Sequence, residues 1–267
     1  MTHFEAVLYG LVQGVTEYLP ISSSAHLILL PKFLGTEDPG LVFDVFLHLG
    51  TLFATLIYFW KDWWAMLDPA KKGMSIPMLV IATIPAVIVG YVLHDAIDSV
   101  FRGEGVIVTT LVVGGILLYG ADEWAHRGTT AGGRVGRTLS ETTWKDALIV
   151  GLFQCLALVP GMSRSGSTMS GARLLGMTRD SAARYSFLMS APITAGAILY
   201  ELKKNGGELF SGPIPMSVLF VAFVSTFVFG ILSIGVLLRL LKRVGFLSFA
   251  IYRVFLAVTV YFLFCRN

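Results

Sequence analysis

The chain has 267 residues, 55% of them hydrophobic and 14% charged, with a net charge of +3. A soluble domain carries about 25% charged residues, so this deficit, with a mean hydropathy of +0.75, excludes an ordinary soluble domain and points to lipid. The absence of a basic face interleaved with aromatics argues against a nucleic-acid partner, and without a Walker-type phosphate loop ATP-driven chemistry is not indicated.

Taken in chain order, the N-terminus lacks the basic region of a secretory signal, so nothing there reads as cleavable. The apolar stretch 4–34 follows, broken in its middle by LPISSSAH (19–26). Uninterrupted runs at 42–60, 76–93 and 105–121 are each long enough to span a bilayer, which takes roughly 17–25 helical residues. A Gly- and Arg-containing segment, Thr129 to Gly136, reads as a flexible linker. A second broken stretch, 146–178, carries VPGMSRSGST (159–168) and precedes spans at 185–201, 215–238 and 247–264. An arm of about 15 residues reaches only about 22 Å, short of the roughly 30 Å hydrocarbon core. Both broken stretches are therefore expected to be re-entrant helical hairpins, with their irregular backbone shielded by protein or a watery cavity. Cys155 and Cys265 sit in apolar surroundings and read as small hydrophobes.

Loop charge supports that count. With the hairpins not crossing, one side collects Lys61, Lys71, Lys72, Arg127, Arg134, Arg137, Lys145, Arg179, Arg184, Arg239, Lys242 and Arg243. The other collects Lys32, Arg102, Lys203, Lys204 and Arg266. The richer side is expected to be cytoplasmic, leaving both termini outside.

The two broken stretches resemble each other. GLVQ (10–13) recurs as GLFQ (151–154), and Ser22 and Ser24 recur as Ser163 and Ser165, all 141 residues later. Phe46-Leu47 matches Phe187-Leu188 at the same offset. Pro20 and Pro160, Gly90 and Gly230 require one residue of slippage, and IPM (76–78) recurs at 214–216. The expected fold is a single all-α polytopic membrane domain over 1–267, with repeats at about 4–121 and 146–264. Each repeat is one hairpin plus three spans, so the two halves must have inverted topology and place a site near the midplane.

Charged groups inside a membrane are costly and mark functional sites. The candidates are Glu17, Arg164, Arg173 and Arg253, with His26 and His48 as titratable companions. Gln13 and Glu17 are four apart and share a helical face. Ser22 to Ser24 read as the cap of the returning arm, and Ser23 and His26 share a face, the minimal pair for an activated nucleophile. In the second stretch Ser163, Arg164, Ser165 and Thr168 follow Pro160-Gly161, placing hydroxyls, a guanidinium and a helix start together as a phosphate cradle. For Arg173 and Arg253 a structural role is the stronger reading, Arg173 reaching to the cytoplasmic surface and Arg253 pairing with Asp44 or Glu17. An enzyme acting on a lipid phosphate and a flippase of a polyprenyl phosphate lipid both fit these features. Only the enzyme needs Ser23 and His26 as chemical groups.

At these residues the chain resembles the undecaprenyl-diphosphate phosphatase, or bacitracin-resistance, family of bacteria. The resemblance runs from about Leu8 to Phe264 and rests on Gln13 and Glu17 before LPISSSAH, on Pro160 to Thr168, and on FAIYR (249–253). It implies hydrolysis of undecaprenyl diphosphate to the monophosphate and inorganic phosphate in the bacterial inner membrane, with the site open to the exterior. It implies Ser23 as nucleophile and His26 as its acid-base partner. Arg164, Ser163, Ser165, Thr168 and Ser22 become diphosphate-binding residues. It also implies a divalent cation, Mg²⁺ or Ca²⁺, at Glu17 and Gln13. The amide at Gln13 stands where some members carry Glu, and its carbonyl oxygen can still coordinate without adding charge. Membrane lipids are the expected surroundings, and a homodimer is left open.

Overall fold

In the computed structural model the described residues are 1–68, 70, 73–93, 101, 103–132, 136–205 and 214–266. Lys71, Lys72, Arg102, Arg134 and part of the Thr129–Gly136 segment lie outside them. The described residues are helical apart from turns and one isolated bridge between Arg137 and Met177.

Helix α1 (His3–Thr16) opens with a capping box between Thr2 and Glu5. Helix α2 (Ser23–Leu34) ends at Gly35 in the left-handed conformation that favours glycine. These two arms, of 14 and 12 residues, replace the first broken stretch. The second becomes α7 (Trp144–Cys155), a 3₁₀ turn (Leu156–Leu158) and α8 (Arg164–Leu174). No arm exceeds 14 residues, or about 21 Å.

The run at 42–60 forms α3 (Leu41–Tyr58) and α4 (Trp60–Met66), bent by 69°. Helix α5 (Ile76–Val92) matches its expected span. Helix α6 (Glu104–Gly132) runs well beyond 121, so the first residues of the expected linker are helical. Helix α9 (Arg179–Asn205) begins before its expected start, and α10 (Met216–Leu240) and α11 (Leu247–Val260) follow, the last ending in a π turn at Tyr261–Cys265. By length and composition three helices (α6, α10 and α11 with its π turn) can cross a membrane, or four if α3 and α4 form one bent span. Exposed Tyr91, Ile116, Phe220, Ile251 and Phe255 give the bundle an apolar exterior suited to lipid tails.

Small residues let the helices approach closely. A Cβ on Gly14 would lie 2.7 Å from Thr226 O on α10, and one on Gly151 would lie 2.5 Å from Ala82 O on α5. Thus α1 packs on α10 and α7 on α5, while α3 also meets α10 and α9 meets α5. Helix α8 sits among α6, α7 and α9, with every residue from Ser165 to Arg173 buried. Its polar sequence, RSGSTMSGARL, is tolerable there because its hydroxyls bond locally, as Ser170 Oγ does to Gly166 O at 2.7 Å.

Candidate active site where two broken helices meet

Both hairpin tips turn on a serine. Ser22 and Ser163 have φ of +74° and +70° and are the non-glycine residues with positive φ among the described residues. Such strain persists only where the surroundings enforce it, and it clusters at functional sites. Each serine caps the helix after it. Ser22 Oγ accepts from Ala25 N at 3.4 Å and Ser163 Oγ from Gly166 N at 3.1 Å. Each hydroxyl also meets the serine two residues on, Ser24 at 3.2 Å and Ser165 at 3.1 Å. At the second tip Thr110 Oγ1 donates to Pro160 O at 2.6 Å, and a Cβ on Gly161 would sit 2.0 Å from Thr110 Oγ1, so only glycine fits.

The tips are bound to each other. Ser165 Oγ donates to Leu19 O at 3.0 Å. Arg253, on α11 and fully buried, donates to Pro20 O at 3.3 Å on one tip and to Gly161 O at 2.8 Å and Met162 O at 3.1 Å on the other. It also donates to Thr110 O and Leu111 O on α6. The carboxylate partner expected for Arg253 is thus corrected: the guanidinium satisfies backbone carbonyls freed by both helix breaks. Arg173 instead pairs with Asp122 at 2.9 Å, an ion pair shared with Arg179. This places Arg173 in a buried structural network rather than at a lipid interface.

Between the tips lies the polar centre. Arg164 Nη2 donates to Glu17 Oε1 at 2.7 Å, and its Nη1 donates to Ser186 O at 2.9 Å on α9. Glu17 Oε2 accepts from Ser23 Oγ at 2.7 Å and from Gln13 Nε2 at 3.2 Å. Tyr18, next to Glu17 in the chain, ties this segment to α3, its hydroxyl donating to Thr51 O at 2.6 Å. Carboxylate, guanidinium and hydroxyl therefore form one hydrogen-bonded row.

His26 stands apart from this row. Its Nδ1 is 2.7 Å from Ser22 O and its Nε2 is 2.7 Å from the Tyr252 hydroxyl, with the two rings stacked. It faces a mainly apolar groove of about 580 Å³ lined by Val12, Thr16, Leu19, Phe249 and Tyr252. The shared face expected of Ser23 and His26 therefore does not become a hydrogen-bonded pair, because Ser23 turns to Glu17 and the imidazole folds back on its own cap. The hydroxyls of Ser163, Ser165 and Thr168 are buried and engaged: Thr168 Oγ1 lies 2.8 Å from both Arg164 O and Ser186 Oγ. They brace Arg164 and the tip.

A separate cavity of about 280 Å³ reaches the tips at Ser24 and Pro160 and is lined further by Tyr9, Asp44, His48 and Glu201. Ser186 gave no signal in the sequence, whereas Ser24 stood out there only through the repeat and the cap, and Tyr252 only within FAIYR. Asp44 and His48, four apart on α3, carried the spacing of a shared face and could have been read as a pair.

A cation would find few ligands here. Among the described residues no group of three or more His, Cys, Asp and Glu is arranged to hold a metal. Gln13 Oε1 is buried without a hydrogen-bond partner, next to the Glu17 carboxylate. One orphaned oxygen and one carboxylate fit an ion such as Mg²⁺, which keeps waters and substrate phosphates as most of its ligands.

The family described as Bacitracin resistance protein BacA matches residues 6–259. The chain is similar to a protein named undecaprenyl-diphosphatase from Desulforudis audaxviator (strain MP104C), 45% identical over 266 residues and covering 97% of each chain. A protein of the same name from Gemmatimonas aurantiaca is 45% identical over 276 residues, covering 98% of this chain and 97% of the other. One from Moorella thermoacetica is 42% identical over 273 residues, covering 97% of each.

Proposed function

The chain belongs to the bacitracin resistance protein BacA family, and from that premise we propose that it hydrolyses undecaprenyl diphosphate to undecaprenyl phosphate and inorganic phosphate. That reaction recycles the lipid carrier of cell-wall synthesis and confers resistance to bacitracin. The observation that carries the reading is the row Arg164–Glu17–Ser23, which joins the two hairpins and sets a hydroxyl against a carboxylate beside a guanidinium.

In the mechanism we infer, Arg164 exchanges part of its contact with Glu17 for a phosphate oxygen and offsets the charge of the diphosphate. Ser23 Oγ attacks the terminal phosphorus as its proton passes to Glu17, and undecaprenyl phosphate leaves with the electron pair of the broken P–O bond. Water then cleaves the phosphoserine. Gln13 and Glu17 would hold the divalent cation, which supplies charge neutralisation to the diphosphate when bound. Ser163, Ser165 and Thr168 keep Arg164 and the second tip in position, and Ser22 does the same for the first. His26, stacked on Tyr252, holds the start of α2 so that Ser23 faces Glu17.

The same reading includes six spans and two re-entrant hairpins in an inverted repeat. Its support is geometric. Ser22 and Ser163 repeat one strained cap at the 141-residue offset of GLVQ and GLFQ. Exchanging the halves turns the α1–α10 and α3–α10 contacts into α7–α5 and α9–α5, while α6–α11 and α3–α9 map onto themselves. On the charge bias, the cavity end bearing Asp38 and Glu201 faces the exterior of the bacterial inner membrane.

Phosphate release from undecaprenyl diphosphate by the purified protein in detergent tests the proposal, with wild type and Ser23→Ala compared with and without chelator. Chelator-sensitive release that Ser23→Ala abolishes is expected. Headgroup binding by folded wild type without any release would overturn the enzyme in favour of a lipid carrier.

A further inference from the structure

Water must lose a proton to break the phosphoserine, and Glu17 is still protonated from the first step. The group that takes this second proton must face the cavity and have a free lone pair. His26 offers neither, since both its ring nitrogens are engaged and it lines the opposite groove.

His48 offers both. It lies on α3 and lines the cavity that reaches the hairpin tips at Ser24 and Pro160. Its Nδ1 is 2.8 Å from Asp44 O, one helical turn back, and a carbonyl can only accept, so Nδ1 carries the hydrogen. The other nitrogen, Nε2, is left as an acceptor and makes no hydrogen bond among the described residues. The imidazole is half-buried, and Ser24, which lines the same cavity, is the chain neighbour of Ser23. The carbonyl thus fixes the tautomer a base needs, and the cavity brings water to it.

We propose that His48 is the general base of the second half-reaction, activating the water that hydrolyses the phosphoserine. This rests on the serine route proposed above. Water oxygen attacks phosphorus while its proton passes to His48 Nε2. The P–Oγ bond breaks with its electron pair going to Ser23, which recovers its proton from Glu17. His48 then releases its proton to departing phosphate or solvent, and both groups return to their starting states. Glu17 serves the first step and His48 the second, and between them the cycle is complete.

The test uses full-length protein and undecaprenyl diphosphate carrying ³²P on its terminal phosphate, with wild type, Ser23→Ala, His48→Gln, His48→Ala and His26→Gln. Undecaprenyl phosphate formed in the first turnover, label held on acid-quenched protein and steady-state phosphate release are measured together. For both His48 variants, steady-state release is expected to fall about 100-fold or more, while about one undecaprenyl phosphate per protein forms rapidly and label accumulates at Ser23 (an accumulation that itself shows the variant is folded). Equal loss of both steps, release within threefold of wild type, or accumulation in His26→Gln instead would overturn the assignment. Failure of the serine route itself looks different: wild type would release no phosphate, or Ser23→Ala would retain release.

Discussion

Glu17 and Arg164 stand 147 positions apart in the chain and meet at 2.7 Å, each mostly withdrawn from solvent and each supplied by a different broken helix. A charge pair at such depth is held by its remaining bonds, here Ser23 and Gln13 on the carboxylate and Ser186 on the guanidinium. The pair therefore both assembles the two hairpins and poises Ser23.

Replacing Glu17 by Gln keeps the shape but removes the proton acceptor proposed for Ser23. Turnover of undecaprenyl diphosphate is expected to fall by roughly 10²–10⁴. Binding of a non-hydrolysable diphosphate analogue should weaken far less, and titration of that analogue against both proteins checks the separation.

Arg253 supports the site without lying in it. Arg253→Ala leaves the carbonyls of Pro20, Gly161 and Met162 without their buried donor. A stability loss of about 3 kcal/mol or more is expected, since bonds to charged groups contribute roughly 1.5–3 kcal/mol each. Thermal unfolding in detergent should show it, with activity falling in parallel.

Close packing at equivalent places in the two halves makes matched substitutions informative. Gly10→Val and Gly151→Val each drive a side chain into backbone 2.9 and 2.5 Å away. Both are expected to destabilise by about 1–3 kcal/mol or more. A normal melting temperature for either would contradict the helix approach at that position.

Gln13→Glu would put a second carboxylate beside Glu17. The expected result is stronger dependence on divalent cation, with activity at low cation falling below wild type, because like charges at that spacing repel until an ion bridges them. Activity across a Mg²⁺ titration measures it.

The sequence disclosed those parts of the molecule where local chemistry and repetition coincide. Pro, Gly and Ser runs inside apolar stretches marked both helix breaks, and the offset between Ser22 and Ser163 anticipated two caps of the same strained geometry. Gln13, Glu17, Ser23 and Arg164 come together as one row. Long-range partners were less visible. Arg253 looked like a charge seeking a carboxylate, yet its partners are carbonyls, which no residue type announces. His26 and Ser23 share a helical spacing, but side-chain direction at a first turn is set by the cap and by Tyr252, far away in sequence. Helix α8 is the extreme case: its polarity disguises a helix buried on every side.

The most direct test of a single site built from two hairpins is a double-mutant cycle between Glu17 and Arg164, read as kcat/KM for phosphate release. Glu17→Gln and Arg164→Lys should each cost heavily, and the double variant should be no worse than the poorer single variant within about threefold, because groups acting as one unit are not additive. Losses that multiply, as for groups working independently, would contradict the account.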